Sequence, residues 1–171
     1  NNGLLGVWPR ANDQGAWELG FQPAPVNLFS VLKGKTVYVA AADPAGDDPA
    51  LAKALKGAGF VVVQDLFLTA TAQLADVVLP AQAYTERDGT FTSGERRVQR
   101  FYPAVRPRGE TRADYTITAR IAKLAGLELE SRSASLVFGK LAANVKAFEG
   151  LSYARLAETT EQWPIVGRGD L

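Results

Sequence analysis

Three short apolar runs, separated by one helical segment, constrain the fold of this chain more than any other feature. Residues 36–42, 60–64 and 76–79 are rich in β-branched side chains, and each run stops at an aspartate or a proline. Between the first two runs, Asp48 can cap a helix over residues 49–56. Apolar strands joined by helical crossovers are typical of a buried parallel sheet. The sequence therefore predicts an α/β fold in which the three strands are parallel neighbours.

The same pattern divides the chain into two predicted regions. Residues 1–35 show no sustained helical or alternating period, so we expect a packed, irregular flank. Residues 36–171 are predicted to form the α/β domain, with an arginine-rich excursion outside the core at about residues 83–112.

Two amphipathic helices are predicted after this excursion. Asp114 can cap a helix whose apolar face carries Ile117, Ile121 and Leu124. The second helix begins at about Ser135 and continues to Gly150. Its apolar face is expected to comprise Phe138, Leu141, Val145 and Phe148.

Composition excludes several chemistries from this chain. The 171 residues have a net charge of +1 and contain no Cys, Met or His, so there is no thiolate ligand or nucleophile and no histidine proton shuttle. We therefore predict no catalytic, cofactor-binding or metal-binding residue. The missing Met indicates an internal piece of a longer protein, and the low Cys and Met content is typical of a thermophile.

Neither a membrane span nor a secretory signal is visible in the sequence. The longest apolar runs are far shorter than the roughly 20 residues that cross a bilayer, so no direct membrane insertion is expected. A cytoplasmic location follows as the default expectation.

The turn after the first predicted strand is a candidate ligand site. The segment from Asp43 to Gly46 lies between a strand and a helix N-terminus, where α/β folds commonly bind anions. The glycine fingerprint G-x-G-x-x-G is absent, however, and Asp47 and Asp48 would repel a phosphate. An ordinary strand-to-helix turn is therefore the favoured interpretation.

Acidic and basic clusters offer two further candidates. Four carboxylates near predicted strand ends could form a carboxylate pair or hold magnesium, although capping and turn roles are favoured; they are Asp65, Asp76, Glu86 and Asp88. Six arginines could bind phosphate or nucleic acid, but ion pairs within the chain or with a partner are favoured over nucleic acid; they are Arg96, Arg97, Arg100, Arg106, Arg108 and Arg112. Docking on a partner is predicted to depend on the first three.

Three sequence blocks together resemble one protein family. The first has the pattern N-x-Q-G-A-x-x-x-G from Asn12 to Gly20, with Pro23 shortly after. The second, residues 61–80, reads VVVQDLFLT, then TA, then ADVVLP. The third, residues 86–100, reads E-x-D-G-T-F-T and then ERRVQR. The order and spacing of these blocks resemble the molybdopterin oxidoreductase superfamily, in particular formate dehydrogenases and the large iron-sulfur subunit of respiratory complex I.

Residues 112–126 resemble the next helix of that family, and Gln162-Trp163-Pro164 its closing element. The resemblance implies a Rossmann-like, doubly wound parallel sheet. It further implies a non-catalytic scaffold within the complex I subunit, an NADH-quinone oxidoreductase whose 2Fe-2S and 4Fe-4S clusters lie in an N-terminal part absent here. Expected partners are the other hydrophilic-arm subunits, peripheral to the cytoplasmic side of the bacterial inner membrane. The alternative is a fragment of an active molybdopterin-dependent oxidoreductase such as formate dehydrogenase, contributing pterin contacts.

Three departures from the family pattern bear on the pterin cofactor. Asp43 stands where relatives usually have Asn, Ala41 where they have Gly, and Ala70 where they have Glu. The region after the first strand is expected to approach the guanosine or phosphate part of the pterin in cofactor-loaded relatives. An acidic Asp43 and a bulkier Ala41 favour the interpretation that this ligand site is eroded.

Overall fold

The computed structural model of the protein describes residues 8–23 and 28–158. The helices in this part of the chain are α1 (Asp13–Glu18), α2 (Leu28–Leu32), α3 (Pro44–Asp47), α4 (Pro49–Lys56), α5 (Asp114–Leu124), α6 (Ala134–Asn144) and α7 (Tyr153–Glu158). The strands are β1 (Thr36–Ala40), β2 (Phe60–Asp65), β3 (Val77–Pro80), β4 (Gly89–Thr92) and β5 (Val98–Phe101). Short 3₁₀ turns lie at Ala72–Leu74, Tyr84–Glu86 and Lys146–Phe148.

Strands β1, β2 and β3 form a parallel sheet in that order. In its register Thr36 lies opposite Phe60, and Val62 opposite Val77. Helices α3 and α4 connect β1 to β2, and the Ala72–Leu74 turn connects β2 to β3. The α/β class and the three neighbouring parallel strands are therefore confirmed, with strand ends that differ by one or two residues from the predicted ones.

Helix α4 also begins and ends where the sequence predicts. Asp48 Oδ1 accepts a hydrogen bond from the Ala50 N–H at 2.8 Å, so the predicted N-cap is confirmed. One face of the sheet is buried through Val61 and Val63, which pack with Ala72 in a small core. These valines alternate with residues of the opposite face, because successive strand side chains point to opposite sides.

The arginine-rich excursion contains an antiparallel hairpin that the sequence did not predict. Strand β4 pairs with β5, with Gly89 opposite Phe101 and Thr92 opposite Val98. Val98 is fully buried in the larger core, beside Phe138 of α6. The expectation that this segment lies outside the core is therefore wrong for β5.

The two long helices are confirmed, with differences in how they pack. Phe138 and Phe148 are buried as predicted, although α6 ends at Asn144 and a 3₁₀ turn carries Phe148. In α5 only Ile117 of the predicted face is buried, whereas Leu124 is 86% exposed. Asp114 is the first residue of α5 and makes no cap hydrogen bond, because its carboxylate binds other side chains.

The flank is more regular than the sequence predicts. Within residues 1–35, helices α1 and α2 are short but well formed. The division of the chain at residue 35 stays a prediction, and the Gln162-Trp163-Pro164 element lies outside the described residues.

No helix among the described residues combines the length and the apolar character that crossing a bilayer requires.

Candidate functional site

The carboxyl ends of β1, β2 and β3 meet at one edge of the sheet, which is where open α/β sheets bind ligands. Asp43 follows β1, and Asp65 ends β2. Thr71 lies in the connection that leaves β2. We call these three residues and the connection 66–71 the sheet edge site.

Asp43 and Thr71 hold the two connections of this site together. Asp43 Oδ1 accepts from the Thr71 hydroxyl at 2.7 Å, from the Thr71 N–H at 2.8 Å and from the Gly46 N–H at 3.2 Å. The Thr71 hydroxyl oxygen in turn accepts from the Ala45 N–H at 2.9 Å. The hydrogen bond from the Thr71 hydroxyl, together with the backbone N–H donors of Thr71 and Gly46, holds the pKa of Asp43 below its usual value.

These contacts identify the Asp43 turn as a structural cap. The first free N–H groups of α3 already bind Thr71 and Asp43, so they are not available to a phosphate. These bonds agree with the favoured interpretation of an ordinary strand-to-helix turn, which stays a prediction as far as ligand binding is concerned. An asparagine at this position would present an oxygen to the same donors, so Asp43 does not by itself indicate an eroded site.

Ala41 occupies a backbone conformation that favours glycine. Its φ is 52°, in the left-handed region, where a Cβ atom is crowded by the following carbonyl. The chain therefore adopts at Ala41 a conformation that a glycine would adopt without strain. Holding an alanine there costs conformational energy.

Asp65 offers the site a hydrogen-bond acceptor. Its residue surface is only 9% exposed, and Oδ1 accepts from the Leu66 N–H at 2.6 Å. The other oxygen, Oδ2, accepts no hydrogen bond from the described residues. A carboxylate with one unbonded oxygen is suited to accept hydrogen bonds from the hydroxyl or amino donors of a ligand.

The connection after β2 carries exposed apolar side chains two and three positions after this carboxylate. Phe67 is 74% exposed and Leu68 is 69% exposed, although both lie in the middle of the motif VVVQDLFLT. Adjacent exposed large apolar side chains are typical of a surface that contacts another molecule or another part of a protein. An aromatic ring in this place can pack on a planar ligand.

A polar network crosses from the sheet to the hairpin region behind the site. The Tyr38 hydroxyl donates to Gln64, the Gln64 amide donates to Asp114, and Arg87 forms an ion pair with Asp114. Burial, and then the nearby charge of Asp114, raise the pKa of Tyr38. The Arg87 Nε atom is buried without a hydrogen-bond partner among the described residues, so the network is not fully satisfied.

The first and third sequence blocks come together in space, which the sequence did not predict. Asn12 Oδ1 accepts from the Thr92 N–H at 2.8 Å, joining α1 to β4. A Cβ atom at Gly15 would lie 2.5 Å from Asn12 Oδ1 and 3.1 Å from the Thr92 hydroxyl oxygen. The glycine of the N-x-Q-G-A pattern therefore lets the two blocks approach closely. The signal in the sequence for this contact was that both blocks belong to the pattern of the same family.

A chain of side chains reinforces that junction. Trp8 Nε1 donates to Gln14 at 2.6 Å, Gln14 donates to Glu18 at 2.6 Å, and Arg96 Nε approaches Glu18 at 3.1 Å. Arg96 has φ of 60°, the second non-glycine residue with positive φ among those described. The hairpin tip is thus fixed against α1.

The remaining acidic candidates have structural partners within the chain. Asp76 accepts from the Val61 N–H at 2.7 Å, and Glu86 from the Ala83 N–H at 3.0 Å. Asp88 binds Arg100 through both carboxylate oxygens. Among residues 8–23 and 28–158, no group of three potential metal ligands comes together. The favoured turn role is confirmed for Glu86, whereas Asp76 bonds to the start of β2 and Asp88 pairs with an arginine, so the capping and turn roles are wrong for these two residues.

Comparison with known proteins decides the family. A family model described as "Molybdopterin oxidoreductase" matches residues 1–124, which is most of the chain. The chain belongs to the molybdopterin oxidoreductase family. This membership implies molybdopterin and iron-sulfur cofactors in the parent protein, while the cluster types stay a prediction.

Relatives of this molybdopterin oxidoreductase chain are formate dehydrogenases. Formate dehydrogenase 2 subunit alpha of Methanococcus maripaludis is 46% identical over 129 residues, which are 70% of this chain and 19% of that protein. Formate dehydrogenase subunit alpha of Methanocaldococcus jannaschii is 40% identical over 135 residues, 76% of this chain and 20% of that protein. The chain therefore spans about a fifth of the length of these relatives.

A solved structure supports the fold. Acetylene hydratase from Pelobacter acetylenicus aligns with a TM-score of 0.62 and 25% sequence identity, covering 81% of this chain and 20% of that one. The Rossmann-like sheet of the molybdopterin oxidoreductase type is thereby confirmed.

These relatives overturn part of the functional expectation. They are formate dehydrogenase subunits, so the interpretation as a scaffold of NADH-quinone oxidoreductase is wrong. The expected hydrophilic-arm partners of complex I are wrong for the same reason. The comparisons favour the alternative, a molybdopterin-dependent oxidoreductase such as formate dehydrogenase.

The sheet edge site can be tested against the nucleotide part of a pterin cofactor. Its turn N–H groups are occupied and its side chains are acidic, so it does not fit a phosphate. The unbonded oxygen of Asp65 and the exposed ring of Phe67 do fit a nucleoside, which offers hydroxyl and amino donors and a planar base.

Proposed function

We propose that the chain is part of a molybdopterin-dependent oxidoreductase that oxidises formate. The observation that carries this proposal is the family match over residues 1–124, together with relatives that are formate dehydrogenase subunits. When bound, the pterin cofactor would supply the redox chemistry by accepting the electron pair released as formate becomes carbon dioxide and a proton.

The role that we propose for this chain is to hold the nucleoside part of the cofactor. Asp65 would accept from its hydroxyl or amino groups, and Phe67 would pack on its base. Asp43 and Thr71 keep the two connections in place, so their contribution is to position the edge. The large apolar surface of Phe67 and Leu68 would exclude water from that contact.

This proposal is tested in the full-length enzyme by replacing Asp65 with asparagine. The substitution keeps the shape of the side chain but replaces an acceptor with a donor. We expect the retained pterin to fall several-fold, with formate-dependent reduction of a viologen dye falling in proportion. Asp47→Asn is the matched control, because Asp47 is exposed nearby and accepts no side-chain hydrogen bond among the described residues.

Two results would contradict the proposal. If the wild-type full-length protein reduces no dye with formate, the proposed formate oxidation is wrong. If the Asp65→Asn and Asp47→Asn proteins contain equal amounts of pterin, the proposed role of Asp65 is wrong, but the proposed formate oxidation is not affected.

A further inference from the structure

The arginines around the hairpin divide into two groups. Members of the first group form ion pairs within the chain, namely Arg87 with Asp114, Arg96 with Glu18, Arg97 with Glu95 and Arg100 with Asp88. The second group is Arg106, Arg108 and Arg112, which are exposed and have no ion pair or side-chain hydrogen bond among residues 8–23 and 28–158. Arg96, Arg97 and Arg100, on which docking was predicted to depend, are therefore paired with carboxylates of the chain. The positive charge that is available to a partner lies on the second group.

The second group lies on a segment whose two ends are fixed. We call residues 102–112 the arginine loop. Near its start, the N–H groups of Ala104 and Val105 donate to the Thr85 carbonyl at 2.7 and 3.0 Å. At its end, the Arg112 N–H donates to the Pro80 carbonyl of β3 at 3.1 Å. These hydrogen bonds restrain both ends of the loop.

The middle of the arginine loop is also restrained. Pro107 separates Arg106 from Arg108 and fixes its own φ. A turn then follows, in which the Thr111 hydroxyl donates to the Arg108 carbonyl at 2.7 Å and Gly109 adopts a φ of 54°. Guanidinium groups on a restrained backbone lose less conformational entropy on binding than groups on a free loop.

We infer that the arginine loop binds an acidic surface of another subunit of the enzyme. Guanidinium groups stay charged and match carboxylates with paired hydrogen bonds. The exposed Val105 offers an apolar contact between the charges. Glu110 lies among the arginines and the chain is close to neutral, which favours a mixed protein surface over a phosphate backbone. The inference rests on the proposed function only in requiring an enzyme with more than one subunit.

The test uses the full-length protein in its purified complex. In one variant Arg106, Arg108 and Arg112 are all replaced by glutamine. The control removes the same charge from exposed lysines elsewhere, with Lys53, Lys56 and Lys140 replaced by glutamine. Native mass spectrometry across a dilution series should show the dissociation constant of the complex rising at least tenfold for the arginine variant only, and less so at high salt. Equal dissociation constants for the two variants would overturn the inference.

A cross-linking measurement identifies what lies against the loop. In the Arg108→Lys variant, a carbodiimide couples the new amine directly to a carboxylate in contact with it. We expect cross-linked peptides that join residue 108 to an aspartate or glutamate of another subunit. Cross-links confined to the same polypeptide, or dissociation of the complex by nuclease, would overturn it. Neither readout depends on molybdenum content or formate oxidation, so failure of the proposed activity is recognised separately.

Discussion

Replacing Thr71 by valine removes one buried hydroxyl from the sheet edge site and leaves the shape of the side chain almost unchanged. That hydroxyl donates to Asp43 Oδ1 at 2.7 Å and accepts from the Ala45 N–H at 2.9 Å. A hydrogen bond contributes about 1 kcal/mol net, and a buried donor without an acceptor costs about 1–3 kcal/mol. Because Thr71 is fully buried, we expect the free energy of unfolding to fall by about 2–3 kcal/mol.

The assay is thermal unfolding followed by near-ultraviolet circular dichroism, with urea unfolding in parallel. A loss of this size lowers the midpoint by roughly 5–10 °C in a chain of this length. Thr118→Val is the control, since the Thr118 hydroxyl only donates to the Asp114 carbonyl on the exposed face of α5. That variant should change the unfolding free energy by less than about 0.5 kcal/mol. Equal losses in the two variants would refute the reasoning.

Three further substitutions test the sheet edge site and the junction of α1 with β4. Ala41→Gly should raise the free energy of unfolding by about 0.5–1 kcal/mol in urea unfolding, because it relieves a positive φ; a loss would contradict the assigned strain. Gly15→Ala should lower it by about 1–3 kcal/mol, since a Cβ atom would lie 2.5 Å from Asn12 Oδ1; unchanged stability would contradict the close approach. Because the pKa of Asp43 is lowered in the folded chain, its ionised carboxylate stabilises the fold at pH values above the usual pKa of 3.8. This stabilisation is lost as the pH falls through the lower pKa of the folded state. In acid titrations below about pH 4, Asp43→Asn should therefore lose less stability than the wild type; identical acid profiles would contradict the shift.

Local signals were sufficient for the elements that the sequence predicted. The β-branched runs identified all three strands of the sheet, and Asp48 with Pro49 identified the start of α4. The hairpin was missed because β4 and β5 are only four residues long each and β5 carries an arginine in place of a clear apolar alternation. Short strands depend on their packing, which a local pattern does not contain.

The candidate site depends on contacts that are distant in sequence. Asp43 and Thr71 are 28 positions apart, and Asn12 and Thr92 are 80 apart. The sequence suggested that Asp43 disfavours a ligand, whereas the structure shows a cap bonded within the chain. A periodic pattern likewise identified the apolar face of α5, but it could not show that Leu124 stays exposed.

The cofactor content of the full-length protein tests most directly whether this chain is part of a catalytically active molybdopterin enzyme. The protein is purified under nitrogen, its molybdenum and tungsten are measured by mass spectrometry, and its pterin is measured by fluorescence after oxidative release. We expect stoichiometric metal together with pterin carrying a guanine nucleotide. A full-length protein that retains its iron-sulfur clusters but contains neither metal nor pterin would contradict the account.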